Sequence, residues 1–180
     1  VLCSVVPPLT SSFMKLCKDY FDTTPLEVQT NTETGIRIKY ETPRDVGADR
    51  IVDAAAALEL YGGPLIIVDM GTAMVFDAIT EDGKYLGGAI APGIGIAADS
   101  LFHNTSLLRR VDLSKPPEAI GRNTEHAIQS GLVLGTAEMI KGMVTRFDKE
   151  LGGGSKVIGT GGMTPIIQSE VDIFDHINED

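Results

Sequence analysis

The stretch Leu65-Ile66-Ile67-Val68-Asp69-Met70-Gly71-Thr72-Ala73 constrains the fold most. Leu65 to Val68 form a continuous apolar run between Gly62-Gly63-Pro64 and Gly71, the pattern of a strand buried on both faces. Asp69 then falls at the mouth of that strand. Gly71 and Thr72 follow at a turn where backbone N–H groups and a hydroxyl can approach a phosphate closely. The same residues also suit an ordinary hairpin turn, because turns use Asp and Gly in any case. Met74 to Thr80 alternates, and Asp82-Gly83 is a two-residue hairpin signal joining it to Tyr85–Ile90, so the sheet is expected to be partly antiparallel.

With 180 residues and 43% apolar content, the chain can build one sizeable core or two small subdomains sharing a cleft. A formal charge of −10 repels phosphate backbones and anionic headgroups, which argues against nucleic acid or membrane as the main partner. A small anionic substrate would need local positive charge. Cys3 and Cys17 are the only cysteines, too few for a disulfide framework or a thiolate metal site, and a cytoplasmic location is expected. No apolar run approaches the ~18 residues of a membrane span, and the start shows no signal segment.

Val1 to Val6 reads as a strand ended by Pro7-Pro8, and Thr10-Ser11-Ser12 as the cap of a helix to about Phe21 with Phe13, Leu16, Cys17 and Tyr20 on its packed face. Leu26–Val28 resembles a short strand. Ile51, Ala54, Ala55 and Leu58 mark one face of a helix that begins near Asp49-Arg50. Asp49 suits an N-cap. Arg50 is odder, because a cation in the first turn opposes the helix dipole unless Asp45, Asp53 or an anionic ligand compensates it. Residues 97 to 107 look helical, with His103 and Asn104 on the surface. The longest helix is expected over 124 to 151, with Asn123 and Thr124 at its cap and Val133, Ala137, Ile140, Val144 and Phe147 as its core stripe. Gly131 and Gly135 on a neighbouring face would let another helix approach, within the fold or across a dimer. Lys156 to Gly162 is a strand with a glycine turn, a second ligand-sized turn, followed by a short helix at Thr164-Pro165. No GxxxxGK[ST] loop occurs, which excludes a Walker-type nucleotide site in this chain.

In this order the strings GADRIVDAAAA, DMGTAMVFDA, GGAIAPGIGI, AIGRNT with its downstream QSG, and TGGM resemble type III pantothenate kinase over nearly the whole chain. That family belongs to the acetate and sugar kinase, heat-shock-70 and actin superfamily. The resemblance implies an α/β fold of duplicated ribonuclease-H-like (actin-like) domains, with residues 1–60 the remainder of the first and 61–180 the second. It implies ATP-dependent phosphorylation of the primary hydroxyl of pantothenate, the first committed step towards coenzyme A, with a divalent ion such as Mg²⁺ and with K⁺ or NH₄⁺. Asp49 falls on the family's proton acceptor. Gly47, Ala48, Asp49 and Arg50 fall on the pantothenate site, with Arg50 suited to the carboxylate and Tyr40 touching the substrate. Asp69 falls on the monovalent-cation ligand, and Thr72 on an ATP phosphate contact; Gly71 and the Gly161-Gly162 turn would border ATP. Thr124 matches the threonine that reaches pantothenate from the partner subunit of a homodimer. A carboxylate, with an ordinary pKa of about 4, is a weak base towards an alcohol, so its expected work is to orient the hydroxyl and accept the proton late.

The family's opening strand and DxGNT-type phosphate turn have no counterpart here, so the chain is expected to be a piece of the enzyme with poor ATP chemistry alone. Two other readings stand beside the kinase. One is a non-catalytic relative that binds a metabolite and acts as an accessory factor for transcription; the other is a different small-alcohol kinase of the superfamily.

Overall fold

In the computed structural model of the chain, residues 1–178 are described; Glu179 and Asp180 lie outside the described residues. The strands are β1 (Arg37–Ile38), β2 (Leu65–Met70), β3 (Ala73–Ile79), β4 (Lys84–Pro92), β5 (Lys156–Thr160) and β6 (His176–Ile177). They form one mixed sheet in the order β1-β4-β3-β2-β5-β6. β2, β3 and β4 are antiparallel neighbours, whereas β5 runs parallel to β2, β6 to β5, and β1 to β4. Helices cover both faces, giving the ribonuclease-H-like, actin-like α/β arrangement that the sequence implied.

The central strand is buried as its apolar run requires, with Leu65, Ile66 and Val68 fully enclosed. Because side chains alternate across a strand, Ile66, Val68 and Met70 enter one core while Leu65 and Ile67 enter the other. The first core is closed by α3 (Ile94–Asn104) and by the long helix formed by α4 (Thr124–Gln129), a π-helical segment Ser130–Leu134 and α5 (Gly135–Leu151). Its stripe of Val133, Ala137, Ile140 and Val144 is buried as expected, and the Asn123 side chain caps α4 by accepting the His126 N–H at 2.8 Å. The second core is closed by α2 (Ala48–Tyr61) through Ile51, Ala54 and Ala57. Asp69 follows the register of Leu65 and Ile67, so it emerges on the α2 side of the sheet.

Five local expectations are corrected. The β3–β4 connection is a three-residue loop, not a two-residue turn. Thr80 N–H donates to Lys84 O at 2.9 Å, and Gly83 takes the left-handed conformation, φ +74°, that such a loop needs. α1 (Pro7–Phe21) starts at the prolines, whose missing N–H groups cost nothing in a first turn. The Ser11 and Ser12 hydroxyls then donate back to the Pro7 and Pro8 carbonyls instead of capping. Residues 1–6 form no strand, only a parallel bridge between Leu2 and Glu27. The apolar side of α1 is not packed either: no residue of the helix is buried, and Phe13 is 49% exposed. α3 begins at Ile94, because Gly93 ends β4 and N-caps the helix. No helix among the described residues is long and apolar enough to cross a membrane.

Candidate functional site

The α2 side of the sheet gathers the charged residues. Gly47 is the N-cap of α2 in extended conformation, and a side chain there would collide with the Asp49 carboxylate. Ala48 opens the helix and Asp49 follows, exposed, its Oδ1 accepting the Arg50 backbone N–H at 2.8 Å. Asp49 therefore satisfies an orphan donor of the first turn, but from inside the helix and not from the cap position.

Arg50 is 9% exposed and turns back onto the sheet. Its partner is neither Asp45 nor Asp53 but Asp77 of β3, 2% exposed. Nε and Nη2 of Arg50 donate to Asp77 Oδ1 at 3.1 and 2.6 Å, and the Tyr85 hydroxyl of β4 donates to the same oxygen at 2.6 Å. The guanidinium also lies 5.6 Å from the centre of the Tyr85 ring. Burial opposes the Arg50 charge, yet Asp77 and Tyr85 hold its pKa above the ordinary value. Burial pushes the Asp77 carboxyl up while Arg50 and Tyr85 pull it down; an oxygen accepting three donors is the ionised form. Asp77 was visible in sequence as a carboxylate two residues from Ile79 in an alternating strand, on the inward register. Its neighbour Ala78 lies on the opposite face, in register with Met74 and Phe76 of the other core.

Tyr40, half-buried beyond β1, lies over Gly87 of β4, whose φ is +120° and whose missing Cβ would stand 2.9 Å from the Tyr40 ring. Tyr40 and Tyr85 are tilted neighbours with centroids 6.4 Å apart. Tyr40, Thr42, Asp45, Arg50, Gly87 and Gly88 line one cleft of about 770 Å³, large enough for a small organic acid. The structure thus brings Tyr40 and Arg50 into one cavity, with Asp49 next along the helix.

Asp69 is half-buried at the end of β2, and among the described residues no donor is hydrogen-bonded to its carboxylate. Burial, then Asp49 and Asp77, raise its pKa. The two glycine turns cradle it. A Cβ on Gly71 would stand 3.3 Å from Asp69 Oδ1, and one on Gly161, φ +93°, would run into Oδ1 and the Met70 backbone. Asp53, one turn beyond Asp49, completes the acidic side: burial, Asp69, Asp49 and Asp77 together raise its pKa to about 6. A half-buried, unpaired carboxylate between two Cβ-free turns suits a bound cation. Among the described residues no three His, Cys, Asp or Glu side chains converge as a protein-only metal site.

The Gly71 N–H is not bare, because it donates to Ala73 O at 3.1 Å; Thr72 is exposed at the tip. Gly162 is exposed, with nothing within 4 Å of a Cβ built on it. Thr124 stands apart from these residues, exposed at the start of α4 in a separate cleft with Arg109 and Arg110. Asp77, Gly87 and Asp53 lie inside the quoted motifs but carried no site role there, and Tyr85 lies outside them.

A solved structure from Campylobacter jejuni, of a protein described as a Baf family transcriptional activator, superposes on 96% of this chain and 72% of its own with TM-score 0.63 and 22% identity, which shows the fold. Curated type III pantothenate kinases are much more similar. The protein from Roseiflexus sp. (strain RS-1) is 50% identical over 93% of this chain and 66% of its own length. That from Moorella thermoacetica is 48% identical over 99% and 70%, and one from Dehalococcoides mccartyi 47% over 100% and 68%. The chain therefore spans about two thirds of the length of these relatives. The family model for type III pantothenate kinase matches residues 1–146. With that match and these identities, the chain belongs to the type III pantothenate kinase family.

Proposed function

We propose that this chain carries the pantothenate site of a cytoplasmic, homodimeric kinase that transfers the γ-phosphoryl group of ATP to the primary hydroxyl of pantothenate, the first step of coenzyme A synthesis. The observation that carries the reading is the identity of 47–50% to curated pantothenate kinases across almost the whole chain. The accessory-factor reading is not favoured, because the likeness to the transcriptional activator, at 22% identity, bears on fold alone.

In this reading the cleft beside Tyr40 takes pantothenate, with the Arg50 guanidinium towards its carboxylate and the Gly47–Arg50 backbone along it. Asp49, exposed at the first turn of α2, orients the hydroxyl and accepts its proton as the oxygen–phosphorus bond forms and ADP leaves. Transfer passes through a loose transition state, so alignment and charge neutralisation dominate. Thr72 and the Gly71 and Gly161-Gly162 turns border the ATP phosphates, and Gly162 offers open backbone there. Asp69 would hold K⁺ or NH₄⁺, and that ion, with a divalent ion such as Mg²⁺ brought by the nucleotide, would supply the positive charge that phosphoryl transfer needs. Thr124 serves the site of the partner subunit, which accords with its place in a cleft separate from that of Tyr40 and Arg50. Residues 1–60 act as the remainder of one ribonuclease-H-like domain and 61–180 as the other.

Calorimetric titration of the protein with pantothenate tests the reading. Saturable binding that Arg50→Ala abolishes is expected; no binding by folded protein would contradict it.

A further inference from the structure

The sequence leaves Arg50 to Asp45, Asp53 or an anionic ligand, whereas the structure commits one edge of its guanidinium to Asp77. Five N–H donors are available on an arginine in a fixed planar fork. Nε and Nη2 point to Asp77, at 3.1 and 2.6 Å from Oδ1, so the donors left for the cleft are on the far side of the fork. Tyr40 lines the same cleft as this part of the guanidinium.

The pairing of two adjacent strands makes this arrangement rigid. Asp77 and Tyr85 lie on adjacent antiparallel strands, on the face towards α2. The register of β3 and β4 slips between Ala78 and Ile79, so that Ala78 pairs with Gly87 and Ile79 with Tyr85. Leu86 is the extra residue, and the bulge re-aims the chain on either side of it. Tyr85 is thereby turned inward onto Asp77, while Gly87 presents bare backbone to the Tyr40 ring. Gly88 belongs to the same device, since a Cβ there would stand 2.9 Å from Asp77 Oδ1 and inside the Phe76 carbonyl.

We infer that Asp77, braced by the Tyr85 hydroxyl, is a positioning residue that fixes the Arg50 guanidinium and so sets selectivity for a carboxylate-bearing substrate in the Tyr40 cleft. The inference rests on the pantothenate reading. The guanidinium keeps its charge, but its direction is chosen by the sheet and not by the ligand. An arginine held in advance loses little side-chain freedom when the substrate carboxylate arrives. Without Asp77 the same charge would be free to turn to Asp45 or Asp49, both exposed near it. Asp77 touches neither the substrate nor the reacting atoms in this account.

Steady-state kinetics of the full protein test the inference, with pantothenate and with its carboxamide analogue, in which the carboxylate is replaced by a neutral amide. Asp77→Asn keeps the side-chain shape and an acceptor oxygen while removing the charge that clamps Arg50. It should raise KM for pantothenate by about ten- to a hundred-fold, the scale of one charge-assisted hydrogen bond. KM for ATP and kcat should stay within about three-fold. With the carboxamide, Asp77→Asn and the unsubstituted protein should differ little. Tyr85→Phe removes only the brace and should show the same pattern at about two- to five-fold, which keeps the test alive if Asp77→Asn fails to fold. Equal losses on pantothenate and carboxamide, or a fall in kcat with KM unchanged, would overturn the inference and leave the kinase reading standing. Absence of pantothenate turnover in the unsubstituted protein would overturn the kinase reading, and the role of Asp77 with it.

Discussion

Gly161→Ala and Gly162→Ala form a matched pair, adjacent in sequence and both in the turn assigned to ATP. Gly161 has φ +93°, and a Cβ on it would stand 2.6 and 2.7 Å from the Met70 backbone carbon and nitrogen, besides striking the Asp69 carboxylate. Holding alanine at that φ costs about 1–3 kcal/mol, and forcing a methyl group against backbone that cannot yield adds about 1–3 kcal/mol. The expected loss is therefore about 2–6 kcal/mol, a large share of the 5–15 kcal/mol that holds a typical domain, or about 4–24 °C in melting temperature at this length. Gly162 carries no such strain and meets nothing within 4 Å, so alanine there should change stability by less than about 0.5 kcal/mol. Urea unfolding of the two variants, read by far-ultraviolet circular dichroism, measures both. The Met163 N–H donates to Met70 O at 2.9 Å, so the two turns are already tied, and opening that tie should also loosen the Asp69 site. A Gly161→Ala protein within about 1 kcal/mol of the original, or equal losses from both variants, would refute the close packing of the two turns.

Three further outcomes follow from the charged side of the sheet. Asp77→Ala leaves a buried guanidinium unpaired and should cost about 3–5 kcal/mol, whereas the double replacement Arg50→Met/Asp77→Leu should fall within about 1 kcal/mol of the original protein; equal losses in urea unfolding would mean that shape, not charge, governs the pair. Asp53 has its pKa raised to about 6 in the fold, so its ionisation destabilises: the penalty is absent below pH 4, develops as pH rises through 6 and is complete above. Asp53→Asn should accordingly raise the melting temperature at pH 8 by about 2–4 °C, corresponding to about 1 kcal/mol once solvent screening is allowed for, and by nothing at pH 4; a gain independent of pH would contradict the assignment. Gly87→Ala, at φ +120° and 2.9 Å from the Tyr40 ring, should displace that ring and weaken pantothenate binding by about ten-fold; unchanged affinity in calorimetry would remove Tyr40 from the pocket.

Much of the fold was legible because periodicity carries it. The run from Leu65 to Val68, the alternation after Met74 and the helical stripe from Val133 to Val144 each state which face is buried, and the structure follows them. The π-helical turn at Ser130–Leu134 left no such mark, since one extra residue in a helix barely disturbs a stripe. α1 misled for a different reason: its apolar spacing is real, but Phe13 and Tyr20 stay 49% and 81% exposed. In the site, Arg50 was conspicuous as a cation in a first helical turn, and its partner was sought nearby in sequence. The partner lies 27 residues away, in a strand, where a lone Asp resembles any polar interruption. The two anomalies, a cation against the helix dipole and a carboxylate on an inward strand position, explain each other only once the sheet register is known. The cradle around Asp69 was half legible, because Gly71 is adjacent to it and Gly161 comes from a distant strand.

The central claim is that Asp49 works on the hydroxyl of pantothenate at the start of α2. Pantothenate-dependent formation of ADP from ATP by the full protein, in the presence of K⁺ and Mg²⁺, measured beside its Asp49→Asn variant, tests this most directly. The account predicts turnover that requires pantothenate and falls at least about a hundred-fold in the variant, while the calorimetric affinity for pantothenate changes by no more than a few-fold. Near-normal turnover in Asp49→Asn, or ADP formation indifferent to pantothenate, would contradict it.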